Sequence, residues 1–182
     1  MLQGIVGARS VKWLERIVVR QGEGDSPWNN YYYKNKSLPP QSDGIFPSCQ
    51  ALPLNSLVLS AKPTKGDPRW PEAITASGVA YSGGSGEPIT GVEVSTDRGC
   101  TWVAMQLQDG SASNQPPPVD DSSRSWNWVR WHGTVLADAS QPGGEVWCRA
   151  FTQGGAHGQP ETPPQRGGYL YNGWHKVQLD SD

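Results

Sequence analysis

The stretch "PITGVEVSTDRGCTWVAMQL", residues 88–107, decides the fold class. Val92 and Val94 alternate with Glu93, the two-residue period that sends apolar side chains to one face of a strand. Asp97, Arg98 and Gly99 then supply turn chemistry, and "CTWVAMQL" resumes an apolar-rich return strand. A hairpin is predicted here. Working outward, the same short pattern recurs in "LNSLVLS", in "AITASGVAYS" interrupted by Gly78, in "SWNWVRWHGTVL", in "EVWCRAFT" and in "WHKVQL". In the fourth of these, Trp126 and Trp128 fall on one face, and Val129 and Trp131 on the other. About seven short strands separated by Gly-, Pro- and Ser-rich turns predict a mainly β chain, an immunoglobulin-like antiparallel β-sandwich, with an irregular N-terminal arm.

Composition agrees with many turns: the 182 residues include 22 glycines and 16 prolines. Nine tryptophans against two phenylalanines supply large buried area, or rings on which sugars or bases could stack. A net charge of −2 argues against a nucleic-acid partner. No apolar run approaches the roughly 20 residues of a membrane span, so no membrane partner is expected. Neither a signal-peptide pattern at Met1 nor an address motif in the final "LDSD" is visible. Cys49, Cys100 and Cys148 are odd in number and include no CxxC pair. They read as three reduced thiols of an intracellular protein, with no zinc site and no disulfide framework. Cys148, on the alternating "EVWCRAF", reads as a core residue.

The first 53 residues differ from the rest. Residues 1–20 are apolar and ambiguous: Val11, Leu14 and Val18 keep a helical period, whereas "RIVV" is β-branched. Residues 21–53 hold Gly, Pro and Asn throughout and predict a connecting arm without regular structure. An arm of this length is usually functional or disordered.

Taken in order, "GARSVKWL", "SPWNNYYYK", "ALPLNSLV", "ASGVAYSGGSGEPITGVEVSTDRGCTW", "WNWVRW", "VWCRAF", "QPE" and "NGWHKV" resemble the C-terminal part of the sulfite oxidase family of molybdenum oxidoreductases, a part shared with assimilatory nitrate reductases. The resemblance covers nearly the whole chain. It implies residues 1–20 as the end of a molybdopterin-binding domain, 21–53 as an arm carrying an active-site tyrosine, and 54–182 as an immunoglobulin-like dimerisation domain. It also implies a homodimer and the oxidation of sulfite to sulfate. A molybdopterin-type molybdenum cofactor belongs to the complete enzyme, and none is expected to be held by this chain alone. The resemblance places Ser10, Val11 and Lys12 against the cofactor; a hydroxyl, backbone N–H groups and a lysine suit a phosphate. Read without it, Lys12 is an exposed lysine beside a core tryptophan.

In "WNNYYYKN" the family spacing runs from Trp28 to Tyr33 and Lys34, so Tyr33 is the implied active-site phenol. Tyr31 and Tyr32 leave a neighbouring register open, and three tyrosines covering core surface is the bland reading. Arg166, in "QRGG", matches the family arginine that reaches the oxyanion pocket and leans toward sulfite over nitrate chemistry. The "WNL" that usually precedes that arginine is missing, and a solvated loop arginine is the competing reading. No cysteine falls on the family's metal-ligating motif, so no metal ligand is assigned. The upstream walls of the pterin site are not in this sequence, and the chain reads as incomplete for catalysis. A mitochondrial, peroxisomal or cytosolic setting is left open. The reading from a different class is a non-catalytic homodimerisation or scaffold module. A carbohydrate-binding sandwich draws only on the tryptophan count.

Overall fold

The structure is a computed structural model that describes residues 4–36, 38–67, 70–108, 126–138, 144–155, 157–158, 160 and 168–179. Among the described residues, eight strands build two antiparallel sheets: β1 (Asn55–Asp67), β2 (Trp70–Tyr81), β3 (Ile89–Ser95), β4 (Val103–Ala104), β5 (Gln106–Gln108), β6 (Val129–Leu136), β7 (Glu145–Thr152) and β8 (His175–Gln178). One sheet runs β1-β2-β6-β5 and the other β4-β3-β7-β8. They face each other across a core that includes Ile74, Trp131 and Val135 from the first sheet and Val92, Val94, Val146, Cys148 and Ala150 from the second. The chain is a β-sandwich.

The hairpin after β3 forms as its turn chemistry dictates. Asp97 Oδ1 accepts from Ser95 Oγ at 2.7 Å and from the Thr101 N–H at 2.8 Å, while Gly99 takes the left-handed φ of +84° that glycine tolerates. The returning segment is not one strand. Val103 pairs with Val94 in the second sheet, and three residues later Gln106 pairs with His132 in the first. Met105, buried at the crossing, donates its N–H to the Val92 carbonyl. The chain changes sheets here, which makes eight strands rather than seven. β1 is also longer than its apolar half predicts, continuing through Pro63 on a sheet edge where a missing N–H costs no ladder bond.

Gly78 does not break β2. It stands opposite Trp131, and a Cβ there would lie 1.9 Å from the Leu57 carbonyl oxygen and 2.4 Å from Trp131 Cζ2. The indole fills the space a side chain would take. The neighbouring β1 carries a bulge between Val58 and Ser60.

Two polar contacts tie the sheets together. Cys148 Sγ lies 3.4 Å from Ser56 Oγ, and burial pushes this thiol up to about 12, so it stays protonated. The Val58 N–H donates to His175 Nδ1 at 3.1 Å. The imidazole must be neutral at Nδ1 to accept, and burial already lowers its pKa below the ordinary 6.5. A depressed folded value means stability is complete above the unfolded pKa and is lost as pH falls through the folded one. Urea midpoints should therefore drop as pH is lowered from about 6.5, the reference value for histidine. This component should vanish in His175→Gln; an identical pH dependence in the two proteins would remove His175 as its source.

On the outer face of the second sheet, tryptophans stack on the protein's own cations. The Arg149 guanidinium sits 4.0 Å over the Trp102 ring and bonds Glu93 at 2.7 Å, and the Lys176 ammonium lies 4.2 Å over Trp147. Trp102 and Trp174 meet edge to face at 4.8 Å. These rings already have partners, which weakens the sugar-stacking reading.

Candidate functional site

The described residues 4–36 and 38–53 fold back on the sandwich without joining either sheet. A 3-10 turn, Gly7–Arg9, and a one-turn helix, Pro27–Asn30, are their only helical pieces among the described residues. The helix corrects the expectation of an arm wholly without regular structure. Pro27 at its first position explains it, since the fixed φ suits a helix start and the absent N–H has no partner to lose. Single bridges Ile5↔Ala51 and Lys34↔Ser48 hold the layers together. Residues 11–20 adopt neither the helix of their period nor the strand of their β-branching. They are irregular, with a bend at residues 12–13, and exposed throughout, so Trp13, 96% exposed, is not the core tryptophan of the competing reading of Lys12.

Where these segments meet the sandwich they form a cavity of about 240 Å³ that is open on one side. Gly7 and Ala8 of "GARSVK" form one side, and Tyr33 and Cys49 of the arm another. Tyr81 closes it from β2, and Tyr169 and Tyr171 from the segment before β8. The Tyr33 ring packs 5.2 Å from that of Tyr169 and 6.2 Å from that of Trp28. Burial pushes the Tyr81 phenol up, so it remains neutral. Burial likewise raises the Cys49 thiol against the pull of the nearby Arg9 guanidinium, leaving Cys49 a structural residue.

Arg9 joins the two segments. Its Nε donates to the Cys49 carbonyl at 3.0 Å and its Nη1 to Asn29 Oδ1. Its third nitrogen, Nη2, and the Ser10 hydroxyl are buried without a hydrogen-bond partner among the described residues. Buried donors without a protein partner are uncommon, and a bound water or a ligand would satisfy these two. Both are donors, and Lys12 beside them is exposed, so the set suits an anion.

The residues expected from the sequence are therefore partly brought together. Tyr33 lines the cavity and residues 7–8 share it; Ser10 and Lys12 are not on its wall, and the Val11 side chain is 72% exposed. Arg166 lies outside the described residues. Arg9 and Tyr169 were not singled out in advance. Arg9 stands directly before the "SVK" triplet, and Tyr169 three residues after Arg166, so proximity to the motifs was the available signal. Among the described residues, no group of three or more His, Cys, Asp or Glu side chains could hold a metal ion.

Fold and site together define a two-sheet sandwich whose N-terminal arm closes a tyrosine-lined cavity beside an anion-suited donor set. The family model of the Mo-co oxidoreductase dimerisation domain matches residues 47–182, and the chain belongs to that family. The similarity extends through the arm. Sulfite oxidase of Gallus gallus is 34% identical over 183 residues, covering 97% of this chain and 37% of that protein. Mitochondrial sulfite oxidase of Homo sapiens is 33% identical, covering 98% and 32%. Nitrate reductase [NADH] 1 of Oryza sativa subsp. japonica is 30% identical, covering 99% and 20%. The chain thus spans about a third of the length of the sulfite oxidases it matches. In fold it resembles the sulfane dehydrogenase SoxCD from Paracoccus pantotrophus, with a TM-score of 0.63 at 19% identity over all of this chain and 46% of that one. No helix among the described residues is long and apolar enough to cross a membrane.

Proposed function

We propose that this chain is the dimerisation part of a sulfite-oxidising molybdenum enzyme and contributes one side of its active site. The observation that carries the reading is the meeting of residues 7–8 and Tyr33, from two segments ahead of the family-matched region, at one cavity. The sandwich, from residue 54 onward, pairs with a second copy. Residues 1–20 belong to the molybdopterin-binding domain, and 21–53 form the arm between the two. Three unpaired cysteines support an intracellular setting.

The donors near residue 10 fit one wall of a molybdopterin site. Ser10 and Arg9 offer unsatisfied N–H and O–H groups, the Val11 backbone adds its N–H, and Lys12 brings a point charge to a phosphate. When bound, the molybdenum cofactor supplies oxygen-atom transfer to sulfite and takes up the two electrons released. The chain's own residues bind, orient and neutralise. The Tyr33 phenol donates a hydrogen bond to the substrate oxyanion. Arg166 presents a planar fork that pairs with a tetrahedral dianion through two parallel bonds. Leu52 and Pro53 add apolar surface to the wall that Tyr33 shares.

The test joins this chain to a molybdopterin-binding domain and follows sulfite-dependent reduction of an artificial electron acceptor. Tyr33→Phe removes only the hydroxyl and should lower kcat/KM about a hundredfold, the low end for losing one hydrogen-bond donor to an oxyanion. Lys12→Ala should lower the molybdenum retained at purification. Turnover undiminished in Tyr33→Phe, or no sulfite turnover with molybdenum fully loaded, would contradict the reading.

A further inference from the structure

Tyr33 holds a left-handed backbone, φ +51°. For a bulky side chain this is a strained conformation, kept only where the surroundings enforce it. The next residue supplies the enforcement. The Lys34 side chain is only 7% exposed. Its ammonium donates to Glu23 Oε2 at 3.0 Å and to Ser48 Oγ at 2.9 Å, and Ser48 Oγ in turn donates to the same Glu23 oxygen at 2.7 Å. A lysine this buried is rare unless paired, and here three groups close a ring of mutual hydrogen bonds.

The ring is coupled to Tyr33 through the backbone. The Cys49 N–H donates to the Tyr33 carbonyl and the Asn35 N–H to the Pro47 carbonyl, both at 2.7 Å, on either side of the Lys34↔Ser48 bridge. Residues 33–35 are thus zipped to 47–49, and Glu23 ties the start of the arm to the zip. On the other side of the backbone the Tyr33 ring enters the cavity against Tyr169. A buried cation adjacent to a strained tyrosine fixes the direction in which the phenol leaves the chain.

We propose that Glu23, Lys34 and Ser48 are positioning residues that hold the Tyr33 phenol in the cavity in its strained backbone conformation. The proposal deepens the function assigned above and rests on it for the role of Tyr33 toward substrate, but not for the geometry. Without the ring, residue 33 relaxes to an ordinary φ and the phenol swings out of the cavity.

The test uses the 182-residue chain labelled with 3-fluorotyrosine and read by fluorine NMR, with Tyr33→Phe assigning the Tyr33 line among the six tyrosines. In Lys34→Met the Tyr33 line should move toward those of the exposed Tyr31 and Tyr32, and the Tyr169 line should shift with it. Amide hydrogen-exchange protection of β3 and β7, neither of which lines the cavity, should be unchanged and report an intact sandwich. Ser48→Ala, which deletes one hydroxyl and no charge, should move the Tyr33 line the same way by a smaller amount, and Lys34→Arg should restore part of the native position. A Tyr33 line that stays put in Ser48→Ala with that protection unchanged would overturn the proposal. So would a loss of protection across β3 and β7 in that variant, since the ring would then act on the whole fold. No molybdenum or sulfite enters the measurement, so failure here would leave the chemistry proposed for Tyr33 standing.

Discussion

Trp131→Ala is expected to lower the unfolding free energy by about 3–5 kcal/mol, the range for truncating a large buried aromatic side chain. Trp131 is 1% exposed and lies at the centre of the core. Its indole fills the space over Gly78, where the backbone of β2 and the β1 bulge come close, so removal leaves a cavity bounded by main chain that cannot easily collapse. One effect opposes the loss. Trp131 Nε1 is buried with no partner among the described residues, and deleting such a group recovers about 1–3 kcal/mol. The cavity and transfer losses already measured in aromatic truncations exceed this, so the net sign stays destabilising. Trp131→Phe separates the two contributions: it removes the orphan N–H, keeps most of the ring volume, and should cost less than about 1.5 kcal/mol. Against a total stability of about 5–15 kcal/mol, only the alanine variant should be visibly unfolded at modest urea. A fall in the urea midpoint at unchanged slope is the readout. Equal losses in the two variants would show that ring volume is not what holds the sandwich.

The second large effect concerns residues 11–19. Val11, Trp13, Ile17 and Val19 are 72%, 96%, 77% and 95% exposed on one irregular segment. Several large apolar side chains exposed close together mark a surface meant to be covered. On the function proposed above, the rest of the molybdopterin-binding domain covers it, since the segment runs on directly from the Arg9–Ser10 donor set. Burying each such side chain is favourable by about 1.5–3 kcal/mol. Replacing Ile17 and Val19 together by aspartate removes two of these gains and adds two charges to be desolvated. The dissociation constant for that domain should rise roughly a hundredfold or more, equivalent to about 3 kcal/mol. Thermal unfolding of the sandwich should not change, since neither residue touches its core. An unchanged affinity would place the contact elsewhere.

Most of the sandwich was legible because its strands alternate. Val92 and Val94 on β3, and Val146, Cys148 and Ala150 on β7, keep the two-residue period and are at most 1% exposed. The misses follow from tertiary context. The change of sheet at Met105 depends on which neighbours stand on either side, and a local window holds no sign of it. The far half of β1, with Lys62 and Pro63, is an edge strand and carries no apolar alternation. Residues 11–20 misled in the other direction: their apolar spacing imitates a helix, yet their side chains are exposed and pack against no core that would favour one. At the site, the Trp28-to-Tyr33 spacing pointed to a residue that does line the cavity. The Tyr169 wall, the Arg9 bonds and the Glu23–Lys34–Ser48 ring were not legible, because each joins residues far apart in a stretch without periodicity.

The measurement that tests the account most directly is backbone hydrogen exchange of this chain with and without a molybdopterin-binding domain. Alone, residues 11–20, which form no regular secondary structure, should exchange rapidly while β3 and β7 are protected. With the domain present, exchange across residues 9–19 and around Tyr33 should slow markedly and the sheets should be unaffected. Residues 9–19 exchanging at the same rate in both states, with the domain bound elsewhere or not at all, would contradict the assignment of this segment to the cofactor site.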